Sequence, residues 1–151
     1  MSNQLQWVKA SNGYIPPRAL CQGSDSDGQP LFIARAYFKD GLHPGKAAPH
    51  LKDGGFALGW GGASHSFNEY EVLCGTANSV QWVRATGPVK VEGIKLVDAG
   101  HEASGLLFVA RASIGASLQL GKAGEHLMSG MSCAYGSGER NEKEYQVLAH
   151  A

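Results

Sequence analysis

The sequence has no excess of charge of either sign, because its 13 lysine and arginine residues are balanced by 13 aspartate and glutamate residues. Proteins that bind nucleic acids usually carry a basic patch, so this balance argues against a nucleic-acid partner. Long apolar stretches are missing too, and no segment approaches the roughly 20 residues that a membrane-spanning helix needs. We therefore expect neither a nucleic-acid partner nor a membrane span.

A signal peptide is also missing from the start of the sequence. Residues 1–9 are polar and lack the apolar segment that a secretory signal contains. We therefore expect a cytoplasmic protein, whose release from the cell would need an unconventional route.

Cysteine is sparse and odd in number, with Cys21, Cys74 and Cys133 far apart along the chain. No two of them have the C-x-x-C spacing of a zinc site or a redox motif. In a cytoplasmic protein such thiols are expected to be reduced and mostly buried as small apolar side chains. One disulfide with a single free thiol is the alternative.

The signatures of common enzymes are absent as well. The sequence contains no G-x-S-x-G elbow, no phosphate-binding G-x-x-x-x-G-K-[ST] loop and no H-E-x-x-H motif. His50 and His126 occupy matching positions, but no third metal ligand is evident beside them. We interpret both histidines as structural or turn-capping, and we expect a protein without catalysis, metal or cofactor.

What the sequence does contain is a duplication. Residues 7–10, Trp-Val-Lys-Ala, return 75 positions later as residues 82–85, Trp-Val-Arg-Ala. Residues 31–51 match residues 107–127 at 11 of 21 positions without a gap. Both halves close on Glu-Tyr-x-Val-Leu. An internal repeat of this kind indicates one structural unit that is used twice.

The length of each copy decides how the copies are organised. A unit of about 75 residues forms only a marginal core by itself. We therefore predict a single domain, residues 1–151, in which a first repeat (5–74) and a second repeat (80–149) share one core. The segment between them, residues 74–79, is too short for a long flexible linker.

Strands fit the sequence better than helices do. No window keeps a helical apolar period over the 10–12 residues that a confident helix assignment needs. Residues 31–38 and 107–114 alternate instead, so that one face of each predicted strand is wholly apolar. Turn-forming groups of Gly, Asp, Asn and Pro punctuate the 21-glycine sequence. We predict an all-β sandwich or barrel with pseudo-twofold symmetry.

Arg35 and Arg111 lie on the second face of these strands, among apolar neighbours. A guanidinium group near a core normally needs a carboxylate partner. Glu69 and Glu144 are the acids that recur at matching positions. We interpret both arginines as members of structural ion pairs rather than as ligand-binding residues.

Two lysines and nearby acids form the candidate site. A proline-glycine turn is predicted to present Lys46, and its counterpart, which lacks the proline, presents Lys122. Asp25 stands shortly before the first central strand, and Glu102 with His101 stands before the second. A carboxylate and an ammonium on adjacent loops form a surface salt bridge or bind the vicinal hydroxyls of a sugar.

Trp60, between two glycines, has two interpretations. It offers an apolar platform for the C–H face of a sugar, or it packs in the core.

These motifs occur in a distinctive order: Trp-Val, Leu-Phe-Ile-Ala-Arg-Ala, Pro-Gly-Lys and Asn-Glu-Tyr-Glu-Val-Leu. The order resembles the DM-nine repeat, which is found in tandem in natterin-like, mannose-binding lectins, and the resemblance covers both halves. It implies an all-β protein of two intertwined repeats, with mannose held by an acid and a lysine in a cleft. Lys46 matches the family's Pro-Gly-Lys lysine, and Asp25 matches its sugar-binding aspartate by spacing.

The second copy departs from the family pattern. Leu120 stands in place of the proline, and Glu102 or His101 stands near the aspartate position. The second site that the resemblance implies, through Glu102 and Lys122, is therefore expected to be weaker for mannose or altered in preference.

The resulting hypothesis is a lectin that recognises mannose or mannose-containing glycans, with a role in recognising microbial glycans. Repeated pockets suit this role because two weak sites gain avidity. A homodimer is compatible with it. The alternative is a protein-interaction or assembly module without sugar binding, since fold resemblance alone does not establish function. A glycan hydrolase has the least support.

Overall fold

The structure, a computed structural model, describes residues 4–151 and is all-β, as the sequence predicts. The strands of the first half are β1 (Gln6–Ser11), β2 (Cys21–Ser24), β3 (Pro30–Phe38), β4 (Gly41–Ala47), β5 (Phe56–Trp60), β6 (Ala63–Phe67) and β7 (Glu69–Cys74). A single 3-10 turn, Ala77–Ser79, leads to the second half. Its strands are β8 (Val80–Thr86), β9 (Gly100–Glu102), β10 (Gly105–Ile114), β11 (Ser117–Ala123), β12 (Met131–Tyr135), β13 (Gly138–Glu142) and β14 (Glu144–His150). Over the described residues, no helix is long and apolar enough to cross a membrane.

The pairing of the strands has a twofold pattern. In the first half β3 pairs with β2, β4 and β7, and in the second half β10 pairs with β9, β11 and β14. The outer strands β1 and β8 pair with β7 and β14. Exchanging β1–β7 for β8–β14 therefore maps each strand pair onto its counterpart, which is the symmetry that the duplication predicts.

The two halves are intertwined through three strand pairs. β2 of the first half pairs with β11, β4 pairs with β9 of the second half, and β6 pairs with β13. The β2–β11 and β6–β13 pairs, together with the β3–β4 pair, close a ring of eight strands in the order β3, β2, β11, β12, β13, β6, β5 and β4. Neither half closes this barrel alone, because the first half contributes five of its strands and the second half contributes three.

The buried apolar side chains of the described residues form three clusters. The central cluster joins the halves and includes Leu31, Ile33, Leu73, Val109, Leu120 and Leu148. Each half also has its own cluster: Ala34, Phe56 and Val72 belong to one, and Ala110, Met131 and Val147 to the other. The two faces of β3 thus contact different clusters, as do those of β10. The predicted shared core is present, and the cluster within each half adds to it.

The two arginines have the same arrangement in the two repeats, and the sequence predicted it only in part. The Arg35 guanidinium lies over the Trp7 ring at 4.1 Å and donates from Nε to Glu71 at 2.8 Å. Its Nη1 also donates to the carbonyl of Ala99, in the other half, at 2.8 Å. The predicted partner Glu69 is wrong, because the strand register places Glu71 opposite Arg35.

Arg111 repeats this arrangement without a carboxylate. It lies 4.1 Å from the Trp82 ring centroid and donates to the Gln146 amide oxygen and to the carbonyl of Gln22. The predicted partner Glu144 is wrong for the same reason of register. Burial lowers the pKa of Arg111. Both arginines join the halves, which supports their structural interpretation.

The three cysteines are free thiols in the structure. Cys74 and Cys133 are buried as expected, whereas Cys21 is exposed on β2. Burial raises the pKa of the Cys133 thiol to about 11, so that this side chain is an inert apolar residue at neutral pH.

Candidate functional site

The four predicted site residues fall into two groups related by the twofold pattern. Asp25 directly follows β2, and Lys46 lies in β4. Glu102 is the last residue of β9, and Lys122 lies in β11. The structure thus brings an acid and a lysine of each repeat to equivalent positions of the barrel.

The expectation that a turn presents the lysines is wrong. Lys46 pairs with Ile33 on one side and Ala57 on the other, in the interior of the sheet, and only 6% of it is exposed. The turn lies earlier, at Lys39 and Asp40, which both have positive φ angles. Both lysines are therefore buried cations rather than solvated ones.

The glycine before each lysine explains this placement. A Cβ atom at Gly45 would overlap the carbonyl oxygen of Ala57 in β5, and one at Gly121 would overlap that of Ser132 in β12. Glycine at these positions lets neighbouring strands approach closely at the point where the lysine enters the interior. The Gly-Lys pair is thus a packing requirement of the barrel.

We therefore expect Gly121→Ala to destabilise the fold by about 3 kcal/mol, because the overlapping atom is backbone and cannot rotate away. The matched control is Gly138→Ala in β13, where the nearest atom to a new Cβ, the oxygen of Gly62, lies at 3.8 Å. Urea unfolding of both variants measures the difference. Equal unfolding midpoints would contradict this account of the motif.

The first polar cluster consists of Asp25, Lys46, His50 and Gln119. Lys46 Nζ donates to Gln119 Oε1 at 2.8 Å, and Gln119 Nε2 donates to Asp25 Oδ1 at 2.9 Å. His50 Nε2 contacts the other carboxylate oxygen of Asp25 at 2.5 Å. Asp25 and Lys46 are therefore joined through Gln119, a residue of the other half. Burial lowers the pKa of Lys46, and the charge of Asp25 opposes that shift.

The second polar cluster consists of Glu102, Lys122, His126 and His43. His126 Nε2 contacts Glu102 Oε2 at 2.6 Å, which repeats the histidine–carboxylate pair of the first cluster. Lys122 Nζ donates to His43 Nδ1 at 2.9 Å. Burial lowers the pKa of Lys122, and the charges of Glu102 and Glu139 oppose that shift.

The strand register identifies the counterpart of Asp25. Gly23 pairs with Leu31, and Gly100 pairs with the matching Leu107. Two residues beyond each glycine stand Asp25 and Glu102. His101 instead matches Ser24 and is exposed, so Glu102 is the equivalent acid.

The two clusters differ at one bridging residue. Gln119 and His43 occupy matching positions, three residues before Lys122 and Lys46 respectively. Gln119 connects Lys46 of the first cluster to Asp25, whereas His43 contacts Lys122 of the second cluster without connecting it to Glu102. His43 is completely buried, and its Nε2 has no hydrogen-bond partner among the described residues. The hydrogen-bonded chain from lysine to acid is therefore continuous in the first cluster and interrupted in the second.

Sequence reasoning missed four of these residues. His50 and His126 had a signal, since they match within the duplicated frame, but the structure shows them as partners of the acids. Gln119 and His43 had none, because each belongs to the half opposite its cluster and the two are chemically different. Only the intertwining of the strands places Gln119 and His43 beside these clusters.

A cavity of about 290 Å³ lies beside the second cluster. Its lining includes Glu102, Lys122 and His126 and, from the first half, Trp60. Trp60 also packs edge-on against Phe38, with ring centroids 5.6 Å apart. Trp60 is thus a packed side chain that also lines the cavity, and its role as a sugar platform stays a prediction. Among residues 4–151, no three His, Cys, Asp or Glu side chains come together as metal ligands would.

The buried His43 predicts an acid dependence of stability. Burial, and then the charge of Lys122, lowers the pKa of His43 from 6.5 to about 4. The charge of Glu102 opposes this shift, and that of His101 adds to it. Between these values the unfolded chain binds a proton that the folded chain does not, so stability falls as the pH falls from about 6.5 to about 4. The full loss is on the order of 3 kcal/mol.

We expect His43→Gln to remove this component, because glutamine does not titrate. Unfolding free energies of the parent and the variant, measured by urea denaturation from pH 7 to pH 4, provide the test. Parallel pH profiles would contradict the prediction.

A closed barrel of two intertwined halves, with a composite polar cluster from each, defines a tandem-repeat all-β protein. The DM9 repeat family model matches residues 1–55 and 25–145, and the chain belongs to the DM9 repeat family. No curated protein matches the sequence significantly.

The fold is also similar to the crystal structure of the nematode sperm cell motility protein MFP2B, with a TM-score of 0.64 and 17% sequence identity. The match covers 97% of this chain and 46% of the MFP2B chain, so this chain spans about half the length of that protein. At this identity the similarity shows a shared fold alone.

Proposed function

We propose that the protein is a lectin that binds mannose or mannose-containing glycans, with recognition of microbial glycans as its role. The observation that carries the proposal is the repeated cluster, in which a partly exposed histidine–carboxylate pair stands beside a buried lysine. Two such clusters at equivalent positions offer two sugar sites in one domain.

The chemistry of each cluster suits neighbouring hydroxyl groups. A carboxylate accepts several hydrogen bonds, and an ammonium group donates three. Lys46 uses one of its donors on Gln119, and Asp25 accepts from Gln119 and His50. The remaining donors and lone pairs are fixed in direction by these contacts, so vicinal hydroxyls meet a prearranged acceptor and donor.

The proposed sites are composite, since each takes residues from the opposite half. Gln119 completes the first cluster, and His43 and Trp60 complete the surroundings of the second. Sugar binding by this account requires both repeats in one folded unit.

We also propose that binding occurs without catalysis. Neither the DM9 repeat nor the MFP2B-like fold is of an enzymatic kind.

A glycan array with the full chain tests the proposal. We expect signals on mannose-terminated glycans, and we expect the double variant Asp25→Asn/Glu102→Gln to lose them. Both substitutions keep the size of the side chain and remove the charged acceptor. An array on which the parent binds no mannose-containing glycan would contradict the proposal.

A protein-interaction module is the second candidate function. Its support is a groove of about 640 Å³ across β1, β3 and β7, beside which Tyr37 is 73% exposed. This candidate would be favoured if the folded parent bound no glycan on the array.

A further inference from the structure

The second cluster differs from the first by an additional carboxylate. Glu139 of β13 lines the cavity together with Glu102 and Lys122. The register of the two hairpins pairs Ala134 with Glu139 and Gly59 with Ser64. The position equivalent to Glu139 beside the first cluster is therefore a neutral serine.

Because of this additional carboxylate, the negative charges that act on the two lysines also differ. Glu102 and Glu139 both act on Lys122, whereas Asp25 is the carboxylate that acts on Lys46. The lining holds two carboxylates, Glu102 and Glu139, and one ammonium group, and its histidine, His126, contacts Glu102 and not Glu139. The carboxylate of Glu139 therefore keeps a negative charge available to a ligand. In a partly buried cavity such a charge attracts a cation more strongly than it would in water.

One contact from each half holds Glu139 in place. Its Oε1 accepts the backbone N–H of Gly62 at 2.8 Å, and its Oε2 accepts the hydroxyl of Ser132. Each oxygen keeps a lone pair for a ligand. The contact with Gly62 also fixes the turn that follows Trp60, so the Trp60 ring and the Glu139 carboxylate are positioned together.

The size and walls of the cavity indicate one sugar ring. Its volume of about 290 Å³ lies at the lower end of the roughly 300–1,000 Å³ found for small-molecule sites. Trp60 provides an apolar face for ring C–H groups, and Glu102, Glu139 and Lys122 supply polar groups in the same lining.

We propose that the second site binds a hexose with a free, protonated amine, a 2-amino-2-deoxyhexose, in preference to neutral mannose. The inference rests on the proposed function, because it takes the clusters as sugar sites. The sugar ring lies against Trp60, and its ammonium group donates to Glu139. Lys122 also lines the cavity, but its side chain is buried and its ammonium group donates to His43 rather than to Glu139.

Calorimetric titration at pH 6 and low salt tests the inference. The protein is the full chain with Asp25→Asn, which weakens the first site, and the ligands are mannose, mannosamine and N-acetylmannosamine. We expect mannosamine to bind about tenfold more tightly than mannose, as one charge-assisted hydrogen bond predicts. Acetylation removes the charge and should remove the gain. Equal affinities for mannose and mannosamine would overturn the inference.

A second substitution assigns the preference to Glu139. Glu139→Gln keeps the acceptor for the Gly62 N–H and removes the charge, so mannosamine should lose its advantage. The matched control is Glu144→Gln, an exposed carboxylate of β14 outside the cavity lining, which should keep the advantage. A preference that survives in Glu139→Gln would overturn the role of this residue. Ethanolamine binding as tightly as mannosamine would overturn the sugar specificity.

The parent protein separates this inference from the proposed function. Mannose binding by the parent, without an amine preference in Asp25→Asn, contradicts only the inference. An amine preference without mannose binding contradicts only the mannose specificity. Binding of neither sugar contradicts both.

Discussion

A fragment of residues 1–75 is expected to be unfolded at 25 °C. The central cluster takes side chains from both halves, so the fragment exposes one side of that core to water. It also leaves β2, β4 and β6 without their partners β11, β9 and β13. What remains is a core of fewer than 80 residues without a disulfide or a metal, which rarely suffices for stability.

Circular dichroism during heating measures this prediction. The fragment should show no cooperative transition, whereas an equimolar mixture with residues 76–151 should regain one. A cooperative transition in the fragment alone would show that the halves are independent domains.

Asp25→Ala is expected to weaken mannose binding at the first site by about ten- to a hundredfold. The carboxylate offers charge-assisted hydrogen bonds of roughly 1.5–3 kcal/mol each to the sugar hydroxyls. Its loss also frees His50 and Gln119 from the contacts that orient them. Glu102→Ala should have a smaller effect on mannose, because the second cluster has an interrupted hydrogen-bonded chain. Titration calorimetry of both variants against mannose compares them, and unchanged affinity in Asp25→Ala would contradict the assignment.

A substitution of Asp25 tests the proposed sugar site more directly than a substitution of Lys46 does. Asp25 lies in a turn, where its backbone N–H donates to the carbonyl of Gln29, and its side chain is partly exposed. Lys46 is buried, and its removal leaves the Gln119 amide without its partner. A Lys46→Ala variant therefore changes stability as well as binding.

The duplication and the alternation within residues 31–38 and 107–114 were sufficient to predict the all-β class and the twofold symmetry of the fold. Each alternating strand buries both faces, one in the shared cluster and one in the cluster of its own half. The alternation of side chains along each strand determines which residues share a face, so these faces can be predicted from the sequence. The pairing of β2 with β11 and of β4 with β9 depends on long-range register, which a single sequence does not show.

The misplaced turn before Lys46 has a physical cause. Proline and glycine usually mark turns, but Pro44 and Gly45 lie inside β4 where its neighbour changes. Leu42 pairs with β9, and Lys46 pairs with β5. Proline is tolerated in strands at interruptions of this kind.

The acids and lysines of the clusters were predictable because they recur, whereas their bridging partners were not. Gln119 and His43 occupy matching positions with unlike side chains, and each serves the cluster of the other half. The extra carboxylate, Glu139, likewise has a serine as its counterpart. Differences between repeats are visible in the sequence, but their meaning depends on which residues the fold brings together.

Titration of mannose into the parent, into Asp25→Asn and into Asp25→Asn/Glu102→Gln tests the central claim, that the two polar clusters are sugar sites, most directly. The account predicts that the parent binds mannose, that the single variant retains only the weaker site, and that the double variant binds none while its thermal unfolding stays cooperative. Mannose binding of parental affinity by the folded double variant would contradict it.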